Sequence, residues 1–110
     1  MAGKFEITKA GDTFSFELFI DDKAVGKSPV FDKEDACKRG VKAVKKNSRM
    51  KVQNTLANDE EKTNPKYLVE ADGEKVKYTL FLQTGAVALE GSADSEAEVL
   101  DIIEKIGNNA

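Results

Sequence analysis

Seven basic residues stand between Lys38 and Lys51: Lys38, Arg39, Lys42, Lys45, Lys46, Arg49 and Lys51, with no Asp or Glu among them. Wound as a helix at about 100° per residue, Lys38, Arg39, Lys42, Lys45, Lys46 and Arg49 fall within an arc of about 120°. Cys37, Val41 and Val44 lie opposite, so the spacing predicts an amphipathic helix with a basic outer face. Clustered Lys and Arg neutralise phosphates, which makes this face a candidate surface for an anion, a nucleic acid or an acidic partner. A plainly solvated helix face gives the same run and does so more often. Aromatic residues among the cations would add base stacking. The Phe residues alternate along strands instead, where core packing accounts for them, and only Phe19 and Phe81 fall on the other sheet face.

Other chemistry finds few residues. The chain has no His and one Cys, so the usual zinc, haem, thiol-redox and nucleophile-His-acid sites lack ligands or bases. Cys37 shares the apolar helix face with Val41 and Val44 and reads as a small buried hydrophobe. Asp21-Asp22 and Asp59-Glu60-Glu61 lack calcium-loop spacing and suit solvated turns. Glu17, Asp21, Asp22 and Asp32 form no acid-base pair at recognisable spacing. No catalytic residue, metal or cofactor is assigned. The charge balance matters more: of 17 Lys and Arg against 20 Asp and Glu, the basic run takes seven, leaving ten bases against twenty acids elsewhere.

The elements that position this run come in two copies. Lys4 to Asn47 aligns without a gap on Lys66 to Asn109 at a shift of 62, with Gly11/Gly73, Leu18/Leu80, Phe19/Phe81, Ala24/Ala86, Val25/Val87, Asp32/Asp94 and Glu34/Glu96 identical. In each copy an every-second-residue pattern runs through three short strands. In the first these are Phe5 and Ile7, then Phe14 to Ile20, then Ala24 to Ser28, where Pro29 stops the pairing. The period then becomes helical, with Cys37, Val41 and Val44 answered by Val99, Ile103 and Ile106. Asp32, and Asp94 or Ser95 with Glu98, are the expected helix caps, and Gly107-Asn108-Asn109 the expected end of the second helix. The second helix carries Glu96, Glu98, Asp101 and Glu104, so one helix is basic and its copy acidic. Residues 49–65 read as a linker, with Met50, Val52 and Leu56 able to extend the first helix or cross the core.

Lys4-Phe5-Glu6-Ile7, Phe14-Ser15-Phe16-Glu17-Leu18, Asp32-Lys33-Glu34-Asp35-Ala36 and Gly40-Val41-Lys42-Ala43-Val44-Lys45-Lys46-Asn47 together resemble the repeat of the YegP-like family of small uncharacterised proteins. The resemblance covers nearly the whole chain and implies strand-strand-strand-helix units assembled into one sheet, with helices exchanged between units. It implies no activity. The second copy departs from it at Ala93, where the first has Phe31, and at Ile102, where the first has Gly40.

The expected fold is therefore α+β: two tandem βββα repeats sharing one mainly antiparallel sheet, with both helices on one face. Residues 1–110 make a single domain of repeat one (4–48), linker (49–65) and repeat two (66–110). Gly40 is expected to receive Ile102 or Ile106 as the helices pack side by side. With no apolar run of about 18 residues and no secretion segment after Met1, the expected setting is a bacterial-type cytoplasm and no membrane. The expected function is a non-catalytic interaction module with a protein partner, not an enzyme. The alternative is nucleic-acid or polyanion binding by the basic helix. A monomer is expected, because a tandem repeat supplies its own pseudo-dimer.

Overall fold

The computed structural model describes residues 3–109. β1 (Gly3–Ala10), β2 (Thr13–Ile20) and β3 (Lys23–Lys27) lead into α1 (Glu34–Asn47). A short β4 (Val52–Asn54) and a 3-10 turn (Thr55–Ala57) follow, then β5 (Lys66–Asp72), β6 (Lys75–Phe81), β7 (Val87–Ala93) and α2 (Glu96–Asn109). The seven strands form one sheet in the order β1-β2-β3-β7-β6-β5-β4. All pairs are antiparallel except β4 with β5, so the sheet is mixed.

Strand alternation works as the sequence predicts. Phe16, Leu18 and Ile20 on β2 and Tyr78 and Leu80 on β6 turn to one face, where Cys37 and Val44 of α1 and Val99, Ile103 and Ile106 of α2 meet them in a single buried cluster. Burying each such large apolar side chain stabilises the fold by about 1.5 to 3 kcal/mol. Gly11 and Gly73 take φ of 61° and 64° in their hairpin turns, as expected of glycine there. Asp21 and Asp22 both adopt positive φ, 54° and 65°, giving the two-residue turn that matches strand twist.

Several expectations change. The linker is not strand-free: Val52, Gln53 and Asn54 pair with Tyr67, Leu68 and Val69. An irregular segment beside an open strand edge satisfies its own backbone groups by joining it. The gap-free alignment breaks in the third strand. Leu18 faces Gly26 and Leu80 faces Leu89, so the offset is 62 on the second strand and 63 on the third. The cause is a β6–β7 hairpin one residue longer, closed between Leu82 and Ala86. The offset returns to 62 by Phe31, which rejoins β2 beyond Pro29 through a bridge to Phe14, just as Ala93 pairs with Val76. Val25 and Val87 are thus not equivalent positions.

Helix ends differ too. α1 starts at an uncapped Lys33 rather than on Asp32. Ser95 caps α2, its Oγ accepting from the Glu98 N–H at 3.2 Å. α2 continues through Gly107 and Asn108 to Asn109, so those residues do not end it.

The resemblance implied exchanged helices, and the exchange is partial. α1 packs on β2 and β7, and α2 on β6, β7 and β2. Each helix ends against the other half: the Tyr67 hydroxyl donates to the Ser48 carbonyl at 2.8 Å, and a Cβ at Gly3 would stand 2.9 Å from the Asn109 carbonyl oxygen. The expected Gly40–Ile102 packing does not occur. Gly40 faces Phe31 and Phe16, where a Cβ would come within 2.8 Å of the Phe31 ring. Ile102 lies instead beside Ile20, Lys23 and Val25 at the β2–β3 hairpin. Helix-to-helix contact is made near the C-terminal ends, Gly107 against Ser48 and Arg49. Gly40→Leu is expected to lower stability by about 1 to 3 kcal/mol through overpacking. Adding Phe31→Ala should restore part of that loss, which paired thermal melts of the single and double variants would check.

Candidate functional site

α1 places its charges where its sequence predicts. Glu34 and Asp35 occupy the first turn and Lys45 and Lys46 the last, complementing the helix dipole. Cys37 and Val44 are buried, while Lys38, Arg39, Lys42, Lys45, Lys46 and Arg49 are all exposed. The six differ in what holds them. Lys38 pairs with Glu34 one turn earlier at 3.4 Å. The Lys45 ammonium lies 5.5 Å from the centre of the Phe5 ring, a cation–π contact that draws it toward β1. Arg49 stands beyond the end of α1, and its Nε donates to the Gly107 carbonyl at 2.8 Å. This places a cation at the negative end of α2 and takes Arg49 out of the outward stripe. Among the described residues no ion pair joins Arg39, Lys42 or Lys46 to an acid, and none joins α1 to α2.

The acidic helix forms one ion pair among the described residues. Lys105 bonds Asp101 at 3.0 Å, and that hydrogen bond and charge hold the Lys105 ammonium above its ordinary range. The Glu96 carboxylate accepts from the Asn54 amide at 2.8 Å, tying α2 to β4.

The face of the sheet opposite the helices carries a groove of about 460 Å³ where β3 meets β7. Its floor is the cross-strand row Glu17, Lys27, Glu90 and Thr79, with Asp72, Lys77 and Ser92 beside it. Sequence reasoning left this row unassembled, because the row depends on β3 pairing with β7, a strand far away in sequence. Alternation alone did turn Glu17 outward. Phe19 and Phe81 lie on this same face, both partly buried. The bond between the halves is narrow: Lys27 with Glu90 is the one residue pair of the β3–β7 ladder among the described residues. The Tyr78 hydroxyl reinforces it from the helix side, donating to the Val25 carbonyl at 2.7 Å. Burial pushes the Tyr78 and Tyr67 hydroxyls far above the ordinary tyrosine range, so both stay neutral donors. Lys66 is also buried, its ammonium donating to Gln53 Oε1 and to the Lys62 carbonyl, both at 2.7 Å.

Cys37 is fully buried, and burial together with the nearby Glu34 charge pushes its thiol up, which suppresses the thiolate. No group of three or more His, Cys, Asp or Glu able to hold a metal occurs among the described residues. No helix among them is long and apolar enough to cross a membrane.

No family model matches the chain, and no curated protein does. Solved structures do match. A UPF0339 protein from Shewanella oneidensis, solved in solution by NMR, superposes with a TM-score of 0.77 at 19% identity, over 99% of this chain and 85% of that one. The YegP protein from E. coli, described as of unknown function, superposes with a TM-score of 0.73 at 20% identity, over 99% and 86%. The chain has the YegP-like fold. The resemblance read from Lys4 through Asn47 is thereby matched in three dimensions over nearly the whole chain. The YegP-like fold here is α+β, one mixed seven-stranded sheet with two helices.

Proposed function

We propose that the chain is a duplicated, non-catalytic interaction module that meets an acidic protein surface with the outward face of α1. Duplication draws support from the matched element order, from two helices of 14 residues each, and from the central ladder, where Lys27 and Glu90 occupy equivalent places and pair with each other. Equivalent residues meet in this way at a two-fold axis. The observation that carries the functional reading is the exposed set Arg39, Lys42 and Lys46, which no acid among the described residues pairs with, on a protein whose net charge is −3. Such a local positive field steers a partner of opposite sign. In this reading the module acts as a cytoplasmic monomer without a cofactor.

The same cations favour a second reading, polyanion binding, because phosphate neutralisation requires only clustered positive charge. A triple variant, Arg39→Glu, Lys42→Glu and Lys46→Glu, tests both. It touches no buried residue, and its melting temperature is expected to stay within about 2 °C of the parent, since surface changes of this kind shift stability little. Both proteins would be immobilised and exposed to lysate with and without nuclease, and separately to RNA, DNA and heparin at rising salt. Protein capture that survives nuclease and disappears in the variant supports the module. Retention of the polyanions that falls steeply with salt supports the second reading. Equal behaviour of parent and variant would sink both.

A further inference from the structure

The two outer strands of the equivalent halves are treated differently. β5 is covered by β4: Val52 to Asn54 pair with Tyr67 to Val69, the Tyr67 N–H donates to the Lys51 carbonyl at 2.9 Å, and the Thr55 hydroxyl donates to the Val69 carbonyl at 2.7 Å. β1 ends the sheet on its other side, with β2 as its only partner among the described residues. The positions of Tyr67 and Val69 correspond to Phe5 and Ile7, since Phe5 pairs with Leu18 and Ile7 with Phe16, as Tyr67 pairs with Leu80 and Val69 with Tyr78. Equivalence therefore directs the Phe5 N–H and the Ile7 carbonyl outward. Exposure shows what is missing. Tyr67 and Val69 are 0% exposed, while Ile7 is 40% exposed and Phe5 only partly covered.

We propose that the outer edge of β1 at Phe5 to Ile7 is a docking site for an extended segment of a partner protein. The segment adds as a short parallel strand, with an aliphatic residue opposite Phe5 and a side-chain amide opposite Ile7. The proposal rests on the duplication reading, which makes β4 a template for the occupant. Val52 lies opposite Tyr67, and Asn54, opposite Val69, reaches from β4 to the carboxylate of Glu96. The residue equivalent to Glu96 is Glu34 at the start of α1, where its present neighbour is Lys38. Main-chain bonds to a strand edge supply affinity, and the side chains at alternate positions supply selectivity. The edge carries Lys4, Glu6 and Lys9, charges that discourage indiscriminate sheet growth yet leave the Phe5 and Ile7 main chain open.

A synthetic peptide with the sequence Met50 to Asp59 is the probe, titrated into the isotope-labelled full chain and followed by amide NMR and hydrogen exchange. Its natural place on β5 is held intramolecularly, so the added peptide finds β1. Shift changes and new protection at the Phe5 and Ile7 amides are the expected result. The same peptide with Gln53→Pro should produce neither, because proline removes the donor of the parallel ladder. Glu34→Ala in the protein should weaken binding about tenfold, the loss of one hydrogen bond to a charged group. No change at millimolar peptide, or changes confined to α1, would overturn the proposal. So would concentration-dependent protection of the same amides without peptide, which would make a second copy the occupant. None of these failures touches the α1 reading, whose readout is the Arg39, Lys42 and Lys46 variant.

Discussion

Gly91→Ala is expected to be among the most damaging single substitutions in the chain. A Cβ at Gly91 would meet the Val25 carbonyl oxygen and stand 2.6 Å from the Tyr78 ring, and one at Gly26 would meet the Tyr78 hydroxyl with Leu89 2.9 Å away. The two glycines flank the ring that bonds Val25 across the narrow β3–β7 junction, so neither ring nor main chain can retreat without opening it. Overpacking of this kind costs about 1 to 3 kcal/mol and occasionally more. For a domain of this size that is a drop of roughly 4 to 8 °C in melting temperature per kcal/mol. Tyr78→Phe gives the comparison. It keeps the ring and leaves the Val25 carbonyl without its donor, for about 1 to 3 kcal/mol. Chemical denaturation of the parent and both variants would check the order; a Gly91→Ala protein as stable as the parent would contradict the packing described.

The second large effect concerns division of the chain. A fragment spanning residues 1–48 contains β1, β2, β3 and α1 but lacks Tyr78, Leu80 and Leu89, which complete its core from the other half. Its helix would lose β7, and its β3 would become an edge. About 45 residues lie near the limit below which a domain needs outside help. The fragment alone is expected to be unfolded, or to pair with itself. Mixing it with a fragment of residues 49–110 should restore structure, read as return of the helical circular dichroism and a single cooperative melt. A stable folded monomer from residues 1–48 would contradict a shared core.

What the sequence made legible follows from which contacts are local. The helix faces of Cys37, Val41 and Val44 and of Val99, Ile103 and Ile106 follow from a period of 3.6, and β2 and β6 from a period of 2; each signal is carried by consecutive residues. The likeness between residues 4–47 and 66–109 was legible too, because apolar phase keeps its step in both stretches. The register of the third strands does not survive, since one extra residue in the Gln83-Thr84-Gly85 turn is offset before Phe31, and the net count hides both changes. Gly40 shows another limit. Its small size correctly signalled a close neighbour, but the neighbour is the Phe31 ring nine residues earlier, reached through the bridge to Phe14. β4 was legible only through Val52, noted with Met50 and Leu56 as an apolar residue in a polar stretch, because three residues are too few to establish a period. For the candidate site, exposure of the basic residues was legible from the helical wheel. The diversion of Arg49 to Gly107 was not, for it depends on where two helix ends meet.

The narrow junction has a consequence for assembly. One ladder pair, the Tyr78 hydroxyl on the Val25 carbonyl, the Tyr67 hydroxyl on the Ser48 carbonyl and Arg49 on the Gly107 carbonyl tie the main chains of the two halves together, while the segment between α1 and β5 joins them covalently. If two molecules open there and re-close on each other, every half recovers the same partners it had before, with no new surface to optimise. The cost of exchange is then set by the connecting segment, whose β4 must either stay on its own β5 or cross with it. Shortening that segment would penalise closure within one molecule without touching the junction, turning a self-contained chain into an obligate exchanged dimer.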